Sequence, residues 1–396
     1  MLLNFLIFNF YFLIFNSKKS VRILLIGEAS YLHNTLKKGL IEDGHQVVLM
    51  SDGNNWHNSP RDIDLKRDMR WGKLSGLKVL WQLLRHYKCL VGNDIVQIHN
   101  YQFVPLKMGW NRHLISFLKR HNRYMVKGCF GDDPVVLDSQ AEGVPEYSDT
   151  YWDGRPQNVE LNKERTAEMD MVPVRHCSGF ANRESDALVA CLYEYYLCYR
   201  SWLSHGKLHY IPLPIEIPEG ARAKHIADGR KLKVLVGIQP KRDYLKGAAY
   251  IGRLVEQVAK ENDGLIEVNT VEGVPYDEYC RMLSETDVLV DQLYSYTPSM
   301  NSLAAMARGT VVIGGGEEEF YKFIGEDELR PIINVRPGRD EDNLNTLRRT
   351  LTDRKLLEKM SQQSIDFVKK YHDYRKVARQ YEHLYERLLA GEFDIY

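Results

Sequence analysis

Hydrophobic and polar positions fall into two successive runs of alternating strand and helix. Residues 21–27, "VRILLIG", form an unbroken apolar stretch of the kind that lies in a parallel sheet with both faces covered. "LHNTLKKGLIED" follows with helical spacing, Gly44 makes a turn, and "HQVVLMSD" returns as a strand, closing one strand–helix–strand unit. Residues 94–100 ("DIVQIHN"), 123–130 ("RYMVKGCF") and 186–191 ("DALVAC") predict further strands, with basic helices between them and a helix in "LYEYYLCYRSW". In "LHYIPLPIEIPEG", Pro212, Pro214 and Pro218 predict an extended crossing segment.

The pattern then restarts. "KLKVLVGI" (231–238) reads as a strand and "KGAAYIGRLVEQVAKEN" as an amphipathic helix. "LIEVNTV", "DVLVDQL", "TVVIGG" and "PIINV" supply more strands, separated by "YDEYCRMLSET" and by "SLAAMARG", whose Gly309 ends its helix. A long helical tail closes the chain. Alternation without hairpin signals predicts an α/β protein with two doubly wound parallel sheets in tandem, helices on both faces. Neither opening strand runs into G-x-G-x-x-G: "GEASYLHNTL" has one glycine and "GIQPKRDYLKG" has two at the wrong spacing. That argues against a dinucleotide cofactor.

Length agrees with two domains, since 396 residues exceed one ordinary core. Lys plus Arg equal Asp plus Glu at 53 each, so net charge points to no polyanionic partner, and no nucleic-acid module is recognisable. Local charge differs: residues 61–123 hold thirteen Lys/Arg against four Asp/Glu, which suits phosphates or an anionic membrane as well as solvated helix faces. "KLSGLKVLWQLLRHYKCL" (73–90) is amphipathic there, with Leu77, Leu80, Trp81 and Leu84 on one face, and burial of that face is the expectation. The six cysteines lack metal-like spacing and sit in apolar runs, as buried thiols of a reducing compartment would; no metal is implied. Residues 1–20, "MLLNFLIFNFYFLIFNSKKS", are too short for a comfortable membrane span and lack both a basic leading region and a small-residue cleavage site. An extension with no part in the fold is favoured over a marginal anchor.

Order and spacing of several motifs resemble the GT-B glycosyltransferases of the "glycosyl transferases group 1" type. "GIQPKRDYLKG" (237–247) matches the family's "GRL…KG" element, "AAMARGTVV" (304–312) aligns without gaps to "EAMACGTPVV", and "IPLPIEI" takes the place of "IPNGID". The resemblance implies two Rossmann-like domains: 21–215 on the acceptor side, 216–375 on the donor side, and 376–396 as a helix crossing back. It also implies a departure. The family's paired glutamates, which hold the donor's sugar and ribose, correspond here to Tyr296 and Ala304. Either polar neighbours including Tyr296, Ser299 and Asn301 replace them, or the donor contacts have moved, or the activity is lost.

The diphosphate of a nucleotide-sugar leaves carrying charge, so a metal-free site needs fixed cations or helix N-termini aimed at it. By resemblance Lys246 matches the phosphate-binding lysine, and Lys241 or Arg242 the arginine. Ser299 and Asn301 open the next helix and suit a cap as well as a phosphate. After the "GGGEEE" strand end, Glu317 is placed to bind sugar hydroxyls or to charge a helix N-terminus. In the first domain, polar residues gather at three strand ends: Glu28, Ser30 and His33; His99 and Asn100; Asp132 and Asp133. In a parallel sheet all face one edge, where an acceptor hydroxyl is oriented or deprotonated. His99 matches a family histidine and "GDD" resembles the family's "GSD", so His99 and Asp132 are the catalytic candidates.

The resemblance thus implies sugar transfer from a nucleotide-sugar, a substrate rather than a cofactor, to a cell-surface glycan or lipid-linked acceptor. It implies retention of configuration and no metal, in the cytoplasm or at the inner face of the membrane. A non-catalytic partner subunit of a glycan-assembly complex and a sugar-nucleotide epimerase are the alternatives; the missing glutamates favour the former.

Overall fold

The computed structural model describes residues 20–53, 58–226, 229–238, 243–262, 264–274 and 276–392. The apolar extension at 1–19 lies outside the described residues.

The first domain is built on a seven-stranded, all-parallel sheet. Its strands are β1 (Arg22–Ile26), β2 (Gln46–Ser51), β3 (Ile63–Asp64), β4 (Ile95–Ile98), β5 (Tyr124–Cys129), β8 (Ala187–Ala190) and β9 (Leu208–Tyr210). They lie in the order β3-β2-β1-β4-β5-β8-β9. β1, β4 and β8 are buried along nearly their whole length, which is why their sequences are unbroken apolar runs. Between β5 and β8 the chain makes a small antiparallel hairpin, β6 (Tyr151–Trp152) with β7 (Arg155–Pro156), unlike the hairpin-free alternation expected. Asp153 and Gly154 turn it, both with positive φ (49° and 69°).

The second domain carries β10 (Leu232–Ile238), β11 (Ile266–Glu272), β12 (Val288–Val290), β13 (Val311–Gly314) and β14 (Ile332–Asn334). All are parallel, in the order β11-β10-β12-β13-β14. Helices Asp340–Thr352 and Arg354–Phe367 follow, and the helix Tyr374–Ala390 then returns to the first domain. There Tyr374 Oη and Arg375 bind Glu42 (2.7 and 2.8 Å), and Glu382 meets His45 at 3.0 Å. The two crossing strands bind each other, Ile215 N to His372 O (2.7 Å) and Tyr374 N to Ile215 O (3.1 Å).

Two structural results depart from the sequence expectations. The helix Ser75–Arg85 buries Ser75, Val79 and Leu83, whereas Leu77, Trp81 and Leu84 point outward at 52, 52 and 73% exposure. Four of the six cysteines are buried, while Cys89 and Cys280 are half-buried. No helix among the described residues is long and apolar enough to cross a membrane.

Candidate functional site

Parallel strands deliver their following loops to one edge of each sheet, and the two edges meet. From the first domain come the loops after β1, β4, β5 and β8 and the hairpin. From the second come the loops after β12, β13 and β14.

On the first-domain side, Glu28 is buried at the start of helix Leu32–Glu42. Its carboxylate accepts the backbone N–H groups of Ala29, His33 and Asn34 at 2.8, 3.0 and 3.0 Å. Burial raises its pKa to about 7 against those three bonds, which lower it. Ser30 is half-buried in a left-handed conformation (φ 50°). His33 is fully buried and does not reach the cleft. Its Nδ1 lies 2.8 Å from the Gly27 carbonyl and its Nε2 3.1 Å from Gln97 Nε2, while Gln97 Oε1 accepts from Tyr385 Oη at 2.7 Å. That chain fixes the neutral Nδ1–H tautomer and ties β1 and β4 to the returning helix. His33 is therefore a core residue, not an acceptor contact.

His99 lies on Gly27, where a Cβ would sit 1.9 Å from Nδ1 and φ is +82°, so both ring and backbone require glycine. Nδ1 is shielded and has no hydrogen-bond partner among the described residues; burial lowers the ring's pKa to about 4. Asn100 is buried and donates to the carbonyls of Phe130 (3.3 Å) and Asp132 (3.2 Å), bracing the two loops. Asp132 is half-exposed and gripped by both arms of Arg165, which also binds Asp149 at 2.7 Å. Asp133 turns inward. It caps helix Pro134–Ala141 through Val135 N (3.0 Å) and binds Ser178 Oγ (2.7 Å) and the fully buried Lys127 (3.2 Å). Its place in the core, like that of His33, corrects the acceptor-side expectation.

On the second-domain side, Lys241 and Arg242 lie outside the described residues. Lys246 is half-buried at the end of the short helix Asp243–Lys246, and its carbonyl receives Leu293 N at 2.7 Å, which sets it beside the 294–297 loop. Ser299 occupies the N-cap position of helix Met300–Met306, yet its hydroxyl goes to Asp291 (2.7 Å). Asn301 Nδ2 binds the same carboxylate (3.0 Å), Ser302 donates to it as well, and Tyr279 Oη donates to Asn301 Oδ1 (2.9 Å). Asp291 was not singled out in the sequence; its signal is an aspartate ending the buried run "DVLVDQL". Gly315 packs so closely on the 291–297 loop that a Cβ would sit 1.9 Å from the Ser295 carbonyl. The glycine run thus admits the chain's own backbone.

Tyr296 is buried under a residue of the other domain. Tyr147 stacks on it (ring centroids 4.4 Å apart, planes at 22°), gives its backbone N–H to Tyr296 Oη (3.2 Å) and donates its hydroxyl to Glu317 (2.9 Å). Glu317 also takes Asn334 Nδ2 (3.0 Å) and Arg336 (3.3 Å). Half-buried Glu194 accepts Thr297 Oγ1 at 2.6 Å, and Phe323 inserts among Tyr193, Tyr196 and Tyr210. The hairpin's Trp152 covers Gly338. The domains are therefore closed on each other through Tyr147, Tyr296 and Glu317. The sequence reading missed Tyr147 and the hairpin, whose signal is the Asp-Gly pair in "YWDGRP".

This arrangement spans sucrose-phosphate synthase from Thermosynechococcus elongatus over 93% of this chain and 100% of that one, with TM-score 0.56 and 15% identity. The chain has the GT-B fold. The catalytic domain of starch synthase IV from Arabidopsis thaliana, solved with ADP and acarbose, matches over 94 and 100% of the two chains (TM-score 0.55, 12% identity). Anabaena HepE, solved with UDP-glucose, matches over 93 and 100% (TM-score 0.52, 11% identity). No protein-family model matches the chain, and no curated protein matches it in sequence. His99 and Asp132 follow β4 and β5 at the first-domain edge, and Lys246 ends the short helix that follows β10. Ser299, Asn301, Tyr296 and Glu317 are already engaged by protein partners.

Proposed function

We propose that the protein is a glycosyltransferase that moves a sugar from a nucleotide-sugar to a glycan or lipid-linked acceptor, with retention of configuration and no resident metal or cofactor. The observation that carries the reading is the meeting of two parallel-sheet edges in a GT-B arrangement, because an interdomain crevice at strand C-termini is where open α/β sheets take ligands. Lys246, with Lys241 and Arg242 shortly before it in the sequence, supplies cations for the departing diphosphate. Asp291 fixes Ser299 and Asn301 at the helix start that replaces the missing carboxylates. His99 faces the acceptor.

Thermal stabilisation by UDP, GDP, ADP, CMP and their common sugars tests the donor side, since a ligand of the native state raises Tm by mass action. One nucleotide is expected to shift Tm clearly. Lys246→Ala is expected to weaken that binding at least about tenfold, the loss of one charge-assisted contact, without lowering the melting temperature of the ligand-free protein. Unchanged affinity in the variant would remove Lys246 from the site.

Tyr147 favours a second reading, a non-catalytic partner subunit, because it fills the space beside Tyr296 and Glu317. In the transferase reading a donor sugar displaces it. Tyr147→Ala is then expected to tighten nucleotide-sugar binding more than nucleotide binding, through removal of a competing intramolecular contact. If neither wild type nor this variant binds any nucleotide-sugar, the partner-subunit reading stands.

A further inference from the structure

The outer layer of the first domain carries an apolar stripe that the fold leaves uncovered. Val79 and Leu83 anchor helix Ser75–Arg85 to the sheet. At about 100° per residue, Leu74, Leu77, Trp81 and Leu84 share an arc of roughly 80° on the opposite side. Met69, Trp71, Leu74 and Tyr87 are 72, 59, 60 and 53% exposed, so with Leu77, Trp81 and Leu84 seven large apolar side chains stand out of one 69–87 segment. Single exposed apolar residues need no explanation, but a continuous stripe at helical spacing marks a docking surface.

We propose that this face docks the protein on an anionic phospholipid surface. Charge selects that occupant. From Met69 to Asn93 there is no Asp or Glu, while Arg70, Lys73, Lys78, Arg85 and Lys88 lie along the segment. Arg70 is paired with Asp68 and Lys78 lies 3.6 Å from Asp64, while Arg85 flanks the stripe with its guanidinium 5.0 Å over the Trp81 ring. A second copy of this chain would bring like charge against like. An acidic bilayer offers hydrocarbon to the leucines, its interface to the tryptophan and tyrosine rings, and phosphates to the basic flank. The same layer extends the positive field: helices Met108–His121 and Val172–Glu184 share the core of Val79 and Leu83. They expose Trp110 (49%) and line a cavity of about 280 Å³ with Arg112, Arg175, His176 and Arg183. Arg175 is paired with Asp138 and Asp170. The inference is independent of the donor assignment; its failure would leave nucleotide binding untouched.

The test is co-sedimentation of the full-length chain with phosphatidylcholine vesicles, with and without phosphatidylglycerol, at low and high salt. Binding is expected only with phosphatidylglycerol and is expected to weaken with salt. The L77E/W81E double variant is expected to bind at least about tenfold more weakly, since it removes two inserted side chains. Both positions are exposed, so its circular dichroism and Tm should match wild type. Residues 1–19 are common to both proteins and cannot produce a difference between them. Undiminished binding by the variant overturns the proposal, as does absence of wild-type binding. A wild-type dimer in solution that the variant dissolves would also overturn it, by assigning the face to a second copy.

Discussion

Asp133→Ala is expected to cost about 3–5 kcal/mol of stability, because it strands a buried charge. Lys127 has no solvent exposure, and among the described residues its ammonium meets Asp133 (3.2 Å), the Tyr199 hydroxyl (3.0 Å) and the Tyr199 ring (4.9 Å). Removing the carboxylate also strips the cap from helix Pro134–Ala141 and the partner of Ser178. The compensating variant K127M/D133N removes both charges and keeps an Asn cap, so it should recover all but about 1–2 kcal/mol. Urea unfolding of the two variants and wild type checks the pair. A cost below about 1 kcal/mol for Asp133→Ala would mean that water or a rearranged partner reaches Lys127. The expected result leaves Asp132, the half-exposed neighbour, as the acidic residue of this loop that a ligand can meet.

The contrast between Asp132 and Asp133 illustrates what the chain's pattern could and could not reveal. Two sheets, their parallel strands and the returning helix were legible because unbroken apolar runs alternating with amphipathic helices admit few other arrangements. The edge strands β3 and β9, only two and three residues long, carry too little pattern to register. The helix at 75–85 was misoriented because it holds two apolar sets, Val79/Leu83 and Leu77/Trp81/Leu84, and periodicity cannot say which one meets the sheet. In the site, strand ends pointed to His99, Asp132 and Lys246. They also suggested His33, whose fate depends on Tyr385 acting through Gln97, positions 288 apart in sequence. Asp291 and Tyr147 escaped notice for the same reason. Their roles arise from partners brought together only by folding, three side chains of the next helix for Asp291 and the opposite domain for Tyr147.

Acidification from pH 7 to pH 5 is expected to remove stability on the order of 2–3 kcal/mol, well before ordinary carboxylates titrate. Burial lowers the pKa of His33 to about 3 and those of His99 and His372 to about 4. In the unfolded chain all three take up protons near pH 6.5, so between 6.5 and 4 the unfolded state binds more protons and stability falls as pH falls. Over this interval each histidine contributes a loss of about 2 kcal/mol. Glu28 opposes them: its pKa, raised to about 7 by burial, makes the folded state the better proton binder, a gain of about 2 kcal/mol. Asp149 and Glu194, raised in the same way, add to that opposition. Urea unfolding at pH 7, 6 and 5 measures the net effect, and His99→Gln should shrink the loss by about 2 kcal/mol. An unchanged pH dependence in that variant would mean that His99 takes up its proton over the same pH range in the folded as in the unfolded chain. The expected outcome bears on chemistry. A ring neutral at pH 7 with a pKa near 4 accepts a hydrogen bond but is a weak base. In the proposed transfer His99 therefore orients the acceptor hydroxyl, and the departing phosphate is the group left to take its proton.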